Sequence, residues 1–109
     1  MILVTGANGK TGRAVLAALQ AKGTVTRALV RGEQAPPASE VLRGDMTHPA
    51  TIAAALRGVE ALCFIAPNVY PHEVELGAAW IAAAKAAGVR RFVYHSVLYP
   101  QIEAMPHHW

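Results

Sequence analysis

The sequence has a single cysteine, Cys63, among 109 residues. It can therefore form no intramolecular disulfide, and a reducing, cytoplasmic compartment fits best. No stretch approaches 18 consecutive apolar residues, so no membrane span and no membrane partner are predicted. The chain opens directly on the apolar run Ile2 to Val4, with no basic segment before it, which argues against a secretory signal.

Charged residues are also sparse, at 16% of the chain, with a formal net charge of +3. Lysine and arginine are scattered, Arg90-Arg91 is their longest run, and no aromatic residues interleave with them. A nucleic-acid partner is therefore not predicted, and a small anionic ligand fits the positive balance equally well. His107 and His108 are adjacent, not one helical turn apart, so no metal site is predicted.

What the chain has in abundance is alanine, valine and leucine, within a hydrophobic content of 53%. Such a composition is typical of buried parallel strands with helices on both faces. Cys63 lies inside one of these apolar runs, Ala61 to Ile65, where a buried small hydrophobe is favoured over a reactive thiol.

The most informative stretch is Thr5-Gly-Ala-Asn-Gly-Lys-Thr-Gly12, between an apolar run and an Ala/Leu-rich segment. Gly6 can turn tightly off a strand, and Gly9 lets the backbone approach a pyrophosphate without a Cβ in the way. Gly12 lets a helix pack close, with its positive N-terminal end aimed at the anion. The pattern predicts a dinucleotide-binding turn, against the alternative of a purely structural one.

Apolar periodicity and breakers predict five strands and three helices. The predicted strands are residues 2–4, 24–30, 40–43, 61–65 and 91–96, and the predicted helices are 11–22, 49–57 and 72–87. Pro49 fits the first turn of the second helix, with Thr47 or His48 as its cap.

Each helix is expected to bury one face. The predicted inward residues are Val15, Ala18, Leu19 and Lys22 in the first helix, Ile52, Ala55 and Leu56 in the second, and Val74, Ala78, Ile81 and Ala84 or Lys85 in the third.

Strands that alternate with helices or short connections indicate an α/β fold with a mainly parallel sheet. Right-handed crossovers and the glycine turn after strand one predict a doubly wound, Rossmann-type sheet of order 3-2-1-4-5, in one domain over residues 1–109. A ligand is expected across the carboxyl ends of the strands, at the switch point between strands one and four.

Four segments together resemble a known family: Thr5 to Gly12, Ala28-Leu-Val-Arg31, Arg43-Gly-Asp45 and Phe92-Val-Tyr-His-Ser96. They are similar to the NmrA-like, NAD(P)-binding group of atypical short-chain dehydrogenase/reductases. The resemblance implies that Gly6, Gly9 and Gly12 form the pyrophosphate turn and that Asp45 hydrogen-bonds the adenine. It also places Ala66-Pro67 along the nicotinamide-side ribose. The remaining predicted cofactor contacts are Asn8, Lys10, Thr11 and Met46.

The sequence departs from the family pattern in two places. His48 stands where members often carry an acidic residue before Pro49, which weakens a helix cap more than cofactor binding. Family enzymes also continue beyond strand five into a segment with a catalytic lysine. Here His107 matches the tyrosine-equivalent position by a loose count, and the lysine is absent from the 109 residues. The expectation is cofactor binding with poor turnover, which leaves open whether the chain is an enzyme.

Arg31 bears on the choice of cofactor. An NAD site places a carboxylate at the end of strand two for the ribose 2′-OH, whereas an NADP site needs a cation for the 2′-phosphate. Strand two ends in Val30-Arg31, and Lys10 could add a second positive charge. NADP(H) is therefore predicted over NAD(H), against the alternative that Arg31 is a solvated strand end.

Candidate catalytic residues are Ser96, at the end of strand five, and His107. Ser96 could hydrogen-bond a substrate carbonyl or the nicotinamide, or equally cap the strand. His95 should point to the opposite face and pack. His48 and His72 are most simply solvent-facing residues at helix starts.

Three functions follow as hypotheses. The first is an NADP(H)-binding domain of an oxidoreductase that transfers hydride to a small carbonyl, quinone or enone. The second is a non-catalytic, redox-sensing module that acts through a protein partner, and the third is a truncated product without independent activity. Strand five, with its alternating Phe92-Val93-Tyr94, is also expected to mediate self-association as an exposed sheet edge.

Overall fold

The computed structural model describes residues 1–66 and 72–95. Strands and helices alternate along the described chain as the apolar pattern predicts, with a loop and no helix between β2 and β3, also as predicted. In chain order the elements are β1 (Ile2–Val4), α1 (Lys10–Ala21), β2 (Thr26–Val30), β3 (Glu40–Arg43), α2 (Pro49–Leu56), β4 (Ala61–Phe64), α3 (Glu73–Ala86) and β5 (Arg91–Tyr94).

The five strands form one parallel sheet of order β3-β2-β1-β4-β5, which confirms the predicted topology. β1 lies at the centre, where Val4 is in register with Ala28 of β2 and with Cys63 of β4. β2 and β3 lie on one side of β1, and β4 and β5 lie on the other. The switch point, where successive strands begin to be added on the opposite side, is therefore between β1 and β4. The carboxyl ends of all five strands meet at one edge of the sheet.

The helices cover both faces of this sheet. On one face, Leu16 of α1 packs with Val4, Ala28 and Val30. On the other face, α2 and α3 pack against the strand residues that alternate with those of the first face, and together they form the larger core. That core contains Leu3, Leu29, Ile52, Ala55, Leu56, Val59, Leu62, Phe64, Leu76, Trp80 and Ala84. The alternation of strand side chains between the two cores is the pleat of a doubly covered sheet.

The predicted inward face was confirmed for α2, where Ile52, Ala55 and Leu56 are buried. It was wrong for most of α3, in which Val74 is 75% and Ile81 42% exposed. The buried residues there are Leu76, Gly77, Trp80 and Ala84. Alanine occurs on all sides of this helix, so the spacing of apolar residues hardly distinguishes one face from another. The large indole of Trp80 determines which face is buried.

In α1 the inward face is rotated by one residue from the prediction. Leu16 and Gly12 are buried, Val15 and Leu19 half-buried, and Ala18 and Lys22 exposed. The rotation follows from the contact of Gly12 with the turn before the helix, which fixes the first buried position.

Arg27, on β2, joins the sheet to the C-terminal end of α2. Its Nη1 donates to the carbonyl oxygens of Ala55 and Arg57, each at 2.7 Å, and its Nη2 lies 3.4 Å from Glu40. These carbonyls belong to the last turn of α2, whose acceptors lack partners within the helix. A cation at this end also complements the helix dipole.

Cys63 is half-buried in β4, and burial raises the pKa of its thiol. It packs against the α1-side core, as expected of a small hydrophobe. Across residues 1–66 and 72–95, no helix combines the length and apolar character needed to cross a membrane.

Candidate functional site

A buried side chain joins the chain segments that follow β1 and β4, at the mouth between the two strands. Thr5 follows β1 and is fully buried. Its hydroxyl donates to the carbonyl oxygen of Ile65 at 3.0 Å and accepts from the amide of the same residue at 2.7 Å. The threonine hydroxyl therefore replaces the strand ladder beyond the Val4–Cys63 pair and ties the two strands together where their chains diverge. Sequence reasoning gave Thr5 no such role.

Two glycines of the turn are required by the fold itself. Gly6 has φ +58°, and a Cβ there would lie 3.1 Å from the side chain of Ile65. A Cβ at Gly12 would lie 2.4 Å from the carbonyl oxygen of Gly6 and 2.7 Å from the Cα of Ala7. The first turn of α1 therefore packs directly on the glycine turn, backbone against backbone.

Gly9 differs from these two glycines. Its φ of −74° suits any residue, and among the described residues a Cβ would meet only the Gly6 carbonyl oxygen, at 3.4 Å. Gly9 is exposed and is the N-cap residue of α1, where no side chain of the described residues provides a capping bond. The amides of Lys10, Thr11 and Gly12, in the first turn of α1, therefore have no acceptors within the helix. The residue that precedes them, Gly9, carries no Cβ that would cover them.

Asn8 connects the glycine turn to the loop after β2. Its Nδ2 donates to the carbonyl oxygen of Gln34, and its Oδ1 accepts from Arg13 Nη2 at 3.1 Å. Arg13 Nε also donates to the Asn8 carbonyl oxygen at 3.0 Å. The polar atoms of Asn8 thus shape the site through protein contacts, and a direct contact with cofactor stays a prediction.

Arg31 and Asp45 are brought together by the pairing of β2 with β3. Val30 pairs with Arg43, and the amide of Gly44 donates to the Val30 carbonyl oxygen at 2.9 Å. The exposed side chains of Arg31 and Asp45 follow directly. Two hydrogen bonds from Thr47 hold the pKa of the Asp45 carboxyl below its ordinary value, and the positive charges of Arg31 and His48 act in the same direction.

The turn after β3 is compact. Asp45 Oδ1 accepts from the Thr47 amide at 2.9 Å and from the Thr47 hydroxyl at 2.7 Å, and the His48 amide donates to the Asp45 carbonyl oxygen at 3.0 Å. Of the two predicted caps, His48 occupies the N-cap position of α2, and Thr47 binds Asp45. The half-buried side chains of Met46 and Ala66 pack against the larger core.

The structure thus gathers most of the predicted cofactor residues at one edge of the sheet. These are Gly6, Asn8, Gly9, Lys10, Thr11 and Gly12 after β1, Arg31 after β2, Asp45 and Met46 after β3, and Ala66 after β4. Pro67 and the two candidate catalytic residues, Ser96 and His107, lie outside the described residues. The cofactor or catalytic role of every residue in both groups stays a prediction.

Comparison with known proteins identifies relatives of this arrangement. The NmrA-like family model matches residues 1–108. The NAD(P)H azoreductase of Xenophilus azovorans is 40% identical over 98 residues, which cover 85% of this chain and 34% of the azoreductase. The chain spans about a third of the length of the curated relatives it matches, namely 34%, 27% and 38% of three of them.

Two solved structures with bound cofactor are also similar. The NADPH-dependent quinone oxidoreductase of Escherichia coli, complexed with NADPH, superposes with a TM-score of 0.77 at 30% identity over 99% of this chain and 42% of that one. The triphenylmethane reductase of Citrobacter sp., complexed with NADP(H), gives a TM-score of 0.78 at 28% identity over 98% of this chain and 41% of that one.

Proposed function

We propose that this chain, which belongs to the NmrA-like family, binds NADP(H) across the carboxyl ends of β1, β2 and β4 and serves hydride transfer to a small carbonyl, quinone or enone. The observation that carries the proposal is the space at Gly9. Gly6 and Gly12 are explained by contacts within the chain, whereas a Cβ at Gly9 would meet the described residues only at an ordinary contact distance of 3.4 Å. A glycine that the fold does not require, at the start of α1, suits the close approach of a pyrophosphate.

The charge around the turn supports the phosphorylated cofactor. Arg31 is exposed at the end of β2, and Lys10 is exposed at the start of α1. A guanidinium can donate two parallel hydrogen bonds to a phosphate, so Arg31 is suited to the 2′-phosphate. Asp45, held ionised by Thr47, would accept hydrogen bonds from the adenine amino group on the other side of the ribose.

Bound NADPH would supply the hydride, and the chain would supply binding and orientation. The glycine turn and the first amides of α1 would hold the pyrophosphate. The Thr5–Ile65 tie would set the width of the mouth through which the nicotinamide half passes towards Ala66. The quinone substrate named for the Escherichia coli relative supports the quinone part of the proposed substrate class. The cytoplasmic location expected from the single cysteine stays a prediction.

The deciding experiment is a titration of NADPH against the native chain and the Gly9→Val variant. The valine side chain would occupy the space proposed for the pyrophosphate, so affinity should fall at least tenfold, or about 1.4 kcal/mol. The midpoint of thermal unfolding without ligand should change little, because within residues 1–66 and 72–95 no atom lies closer than 3.4 Å to a Cβ at that position.

Gly12→Ala is the matched control. Its Cβ would lie 2.4 Å from a backbone oxygen, so this variant should lose stability even without ligand. The proposal fails if Gly9→Val binds NADPH as tightly as the native chain.

A further inference from the structure

The turn that holds Asp45 is tethered to the core by a distant side chain. The indole Nε1 of Trp80, in α3, donates a 3.0 Å hydrogen bond to the carbonyl oxygen of Met46, 34 residues earlier in the sequence. The bonds from Thr47 and His48 to Asp45 are local to the turn, and the side chains of all three residues are exposed. They define the shape of the turn, and the indole adds a hydrogen bond from the core, beside the packing of the half-buried Met46 side chain and the bond from the Gly44 amide to Val30.

Trp80 is well suited to act as an anchor. It is fully buried, and its ring lies 5.8 Å from that of Phe64, centroid to centroid, at an interplanar angle of 49°. A buried indole N–H needs an acceptor, since an unpaired donor in the core is strongly unfavourable. The Met46 carbonyl provides that acceptor, so the position of the turn is coupled to the packing of α3.

We infer that Trp80 is a positioning residue for the adenosine end of the bound dinucleotide, acting through the Met46 carbonyl on the turn that presents Asp45 beside Arg31. The inference rests on the proposed function and adds to it a residue remote from the ligand. It also limits the effect to one half of the cofactor. The mouth between β1 and β4 is tied separately by Thr5, so the nicotinamide half should not depend on the indole.

The test uses the full chain with three ligands: NADPH, 2′,5′-ADP as the adenosine half, and reduced nicotinamide mononucleotide as the other half. Trp80→Phe keeps an aromatic ring in the core and removes the donor. Affinity for NADPH and for 2′,5′-ADP should fall by the same factor, about three- to tenfold, which corresponds to one net hydrogen bond. Affinity for the mononucleotide should not change.

Two further measurements separate positioning from general loosening of the core. Amide hydrogen exchange without ligand should become faster at Thr47 and His48 in Trp80→Phe and stay unchanged at Thr5. Phe92→Leu is the matched control, because this half-buried ring stacks on Phe64 at 6.1 Å in the same cluster. It should leave all three affinities near native. If Trp80→Phe fails to fold, benzothienylalanine at position 80 preserves the ring shape and replaces the N–H with sulfur.

Each outcome decides the matter. The positioning role would be overturned by an equal loss of affinity for the mononucleotide in Trp80→Phe, by the same pattern of losses in Phe92→Leu, or by native affinity for 2′,5′-ADP in Trp80→Phe. None of these results would contradict the proposed binding of NADPH by the native chain. Failure of the native chain itself to bind NADPH and 2′,5′-ADP would instead overturn the proposed function, and the positioning role with it.

Discussion

Arg31 is the residue on which the choice between the two nicotinamide cofactors depends. A charge-assisted hydrogen bond contributes about 1.5–3 kcal/mol, or roughly ten- to a hundredfold in affinity. We therefore expect the native chain to bind NADPH more tightly than NADH, and Arg31→Asp to reverse the order. The variant removes the cation and places a carboxylate where the 2′-phosphate would lie. Calorimetric titration of both cofactors measures the ratio.

The matched control for Arg31 is Arg57→Asp. Arg57 is exposed and follows the last residue of α2, at the opposite edge of the sheet from the site. The same change of charge there should shift both affinities equally and leave their ratio unaltered. Equal affinity of the native chain for both cofactors would contradict the role of Arg31.

Asp45 gives a prediction about pH at the same scale. The hydrogen bonds from Thr47 lower its pKa in the folded protein relative to the unfolded chain. Its contribution to stability is therefore complete above the unfolded-state value of about 4 and is lost as the pH falls through the lower, folded-state value. Thr47→Val removes the hydroxyl bond, so the Asp45 pKa should rise towards its ordinary value.

Carboxyl-carbon NMR titration of Asp45 measures this shift directly. Thr24→Val, at a half-buried position remote from Asp45 in sequence, serves as the control and should leave the titration unchanged. A Thr47→Val titration identical to that of the native protein would show that the hydroxyl bond does not hold the carboxylate.

Among the elements, α2 depends most visibly on a side chain outside itself. It has eight residues, too few to be stable alone, and Arg27 binds the carbonyls at its C-terminal end. Arg27→Met keeps much of the apolar stem and removes the donors. We expect a loss of about 2–3 kcal/mol in the free energy of unfolding, since the bonds are charge-assisted and partly buried.

Denaturant unfolding measures this loss, with Arg57→Met as the control of the same residue type. The exposed Arg57 side chain should be replaced with a change within about 0.5 kcal/mol. A similar effect of both substitutions would mean that Arg27 acts through its general charge and not through its contacts with α2.

The bounds of the strands and helices could be predicted from the sequence, whereas the buried faces of two helices could not. Within residues 1–66 and 72–95, apolar runs and breakers located each strand and helix to within two residues at each end, because strand length, glycine and proline act locally. The buried faces of α1 and α3 were not predictable in this way. Ala18 and Ala82 are exposed while Ala84 is buried, so alanine gives no indication of which side faces inward.

The same limit applies to the site. Gly6, Arg31 and Asp45 could be placed because each comes just after a strand end, and parallel strands bring their carboxyl ends together. Gly12 could be placed from the glycine spacing at the start of α1. Thr5, Arg27 and Trp80 could not be predicted. Each acts by hydrogen bonding to backbone atoms between 28 and 60 residues away, and such bonds leave no spacing pattern in the sequence.

At the scale of the whole molecule, β5 forms one edge of the sheet in the described part of the chain. Val93 is 59% and Tyr94 36% exposed there. Exposed apolar edge strands favour pairing with a second chain, so we predict a concentration-dependent dimer. Val93→Lys should shift sedimentation velocity profiles to the monomer, because a charge on the edge opposes pairing.

Val74→Lys is the matched control for that experiment. Val74 is 75% exposed on a helix, which offers no strand edge for pairing, so the substitution should leave the dimer intact. A native chain that sediments as a monomer at every concentration would contradict self-association through β5.

The bond between Thr5 and Ile65 joins residues 60 positions apart, so the order in which the strands pair determines when the site forms during folding. β1 is synthesised before the other four strands yet lies at the centre of the sheet, and its neighbour β4 emerges only after β2, β3 and α2. Closing so long a loop has an entropic cost before its contacts are gained, so pairing of β1 with β4 should be a late folding event. A refolding chain should therefore acquire affinity for the dinucleotide only in its final phase, and cofactor binding would report completed folding.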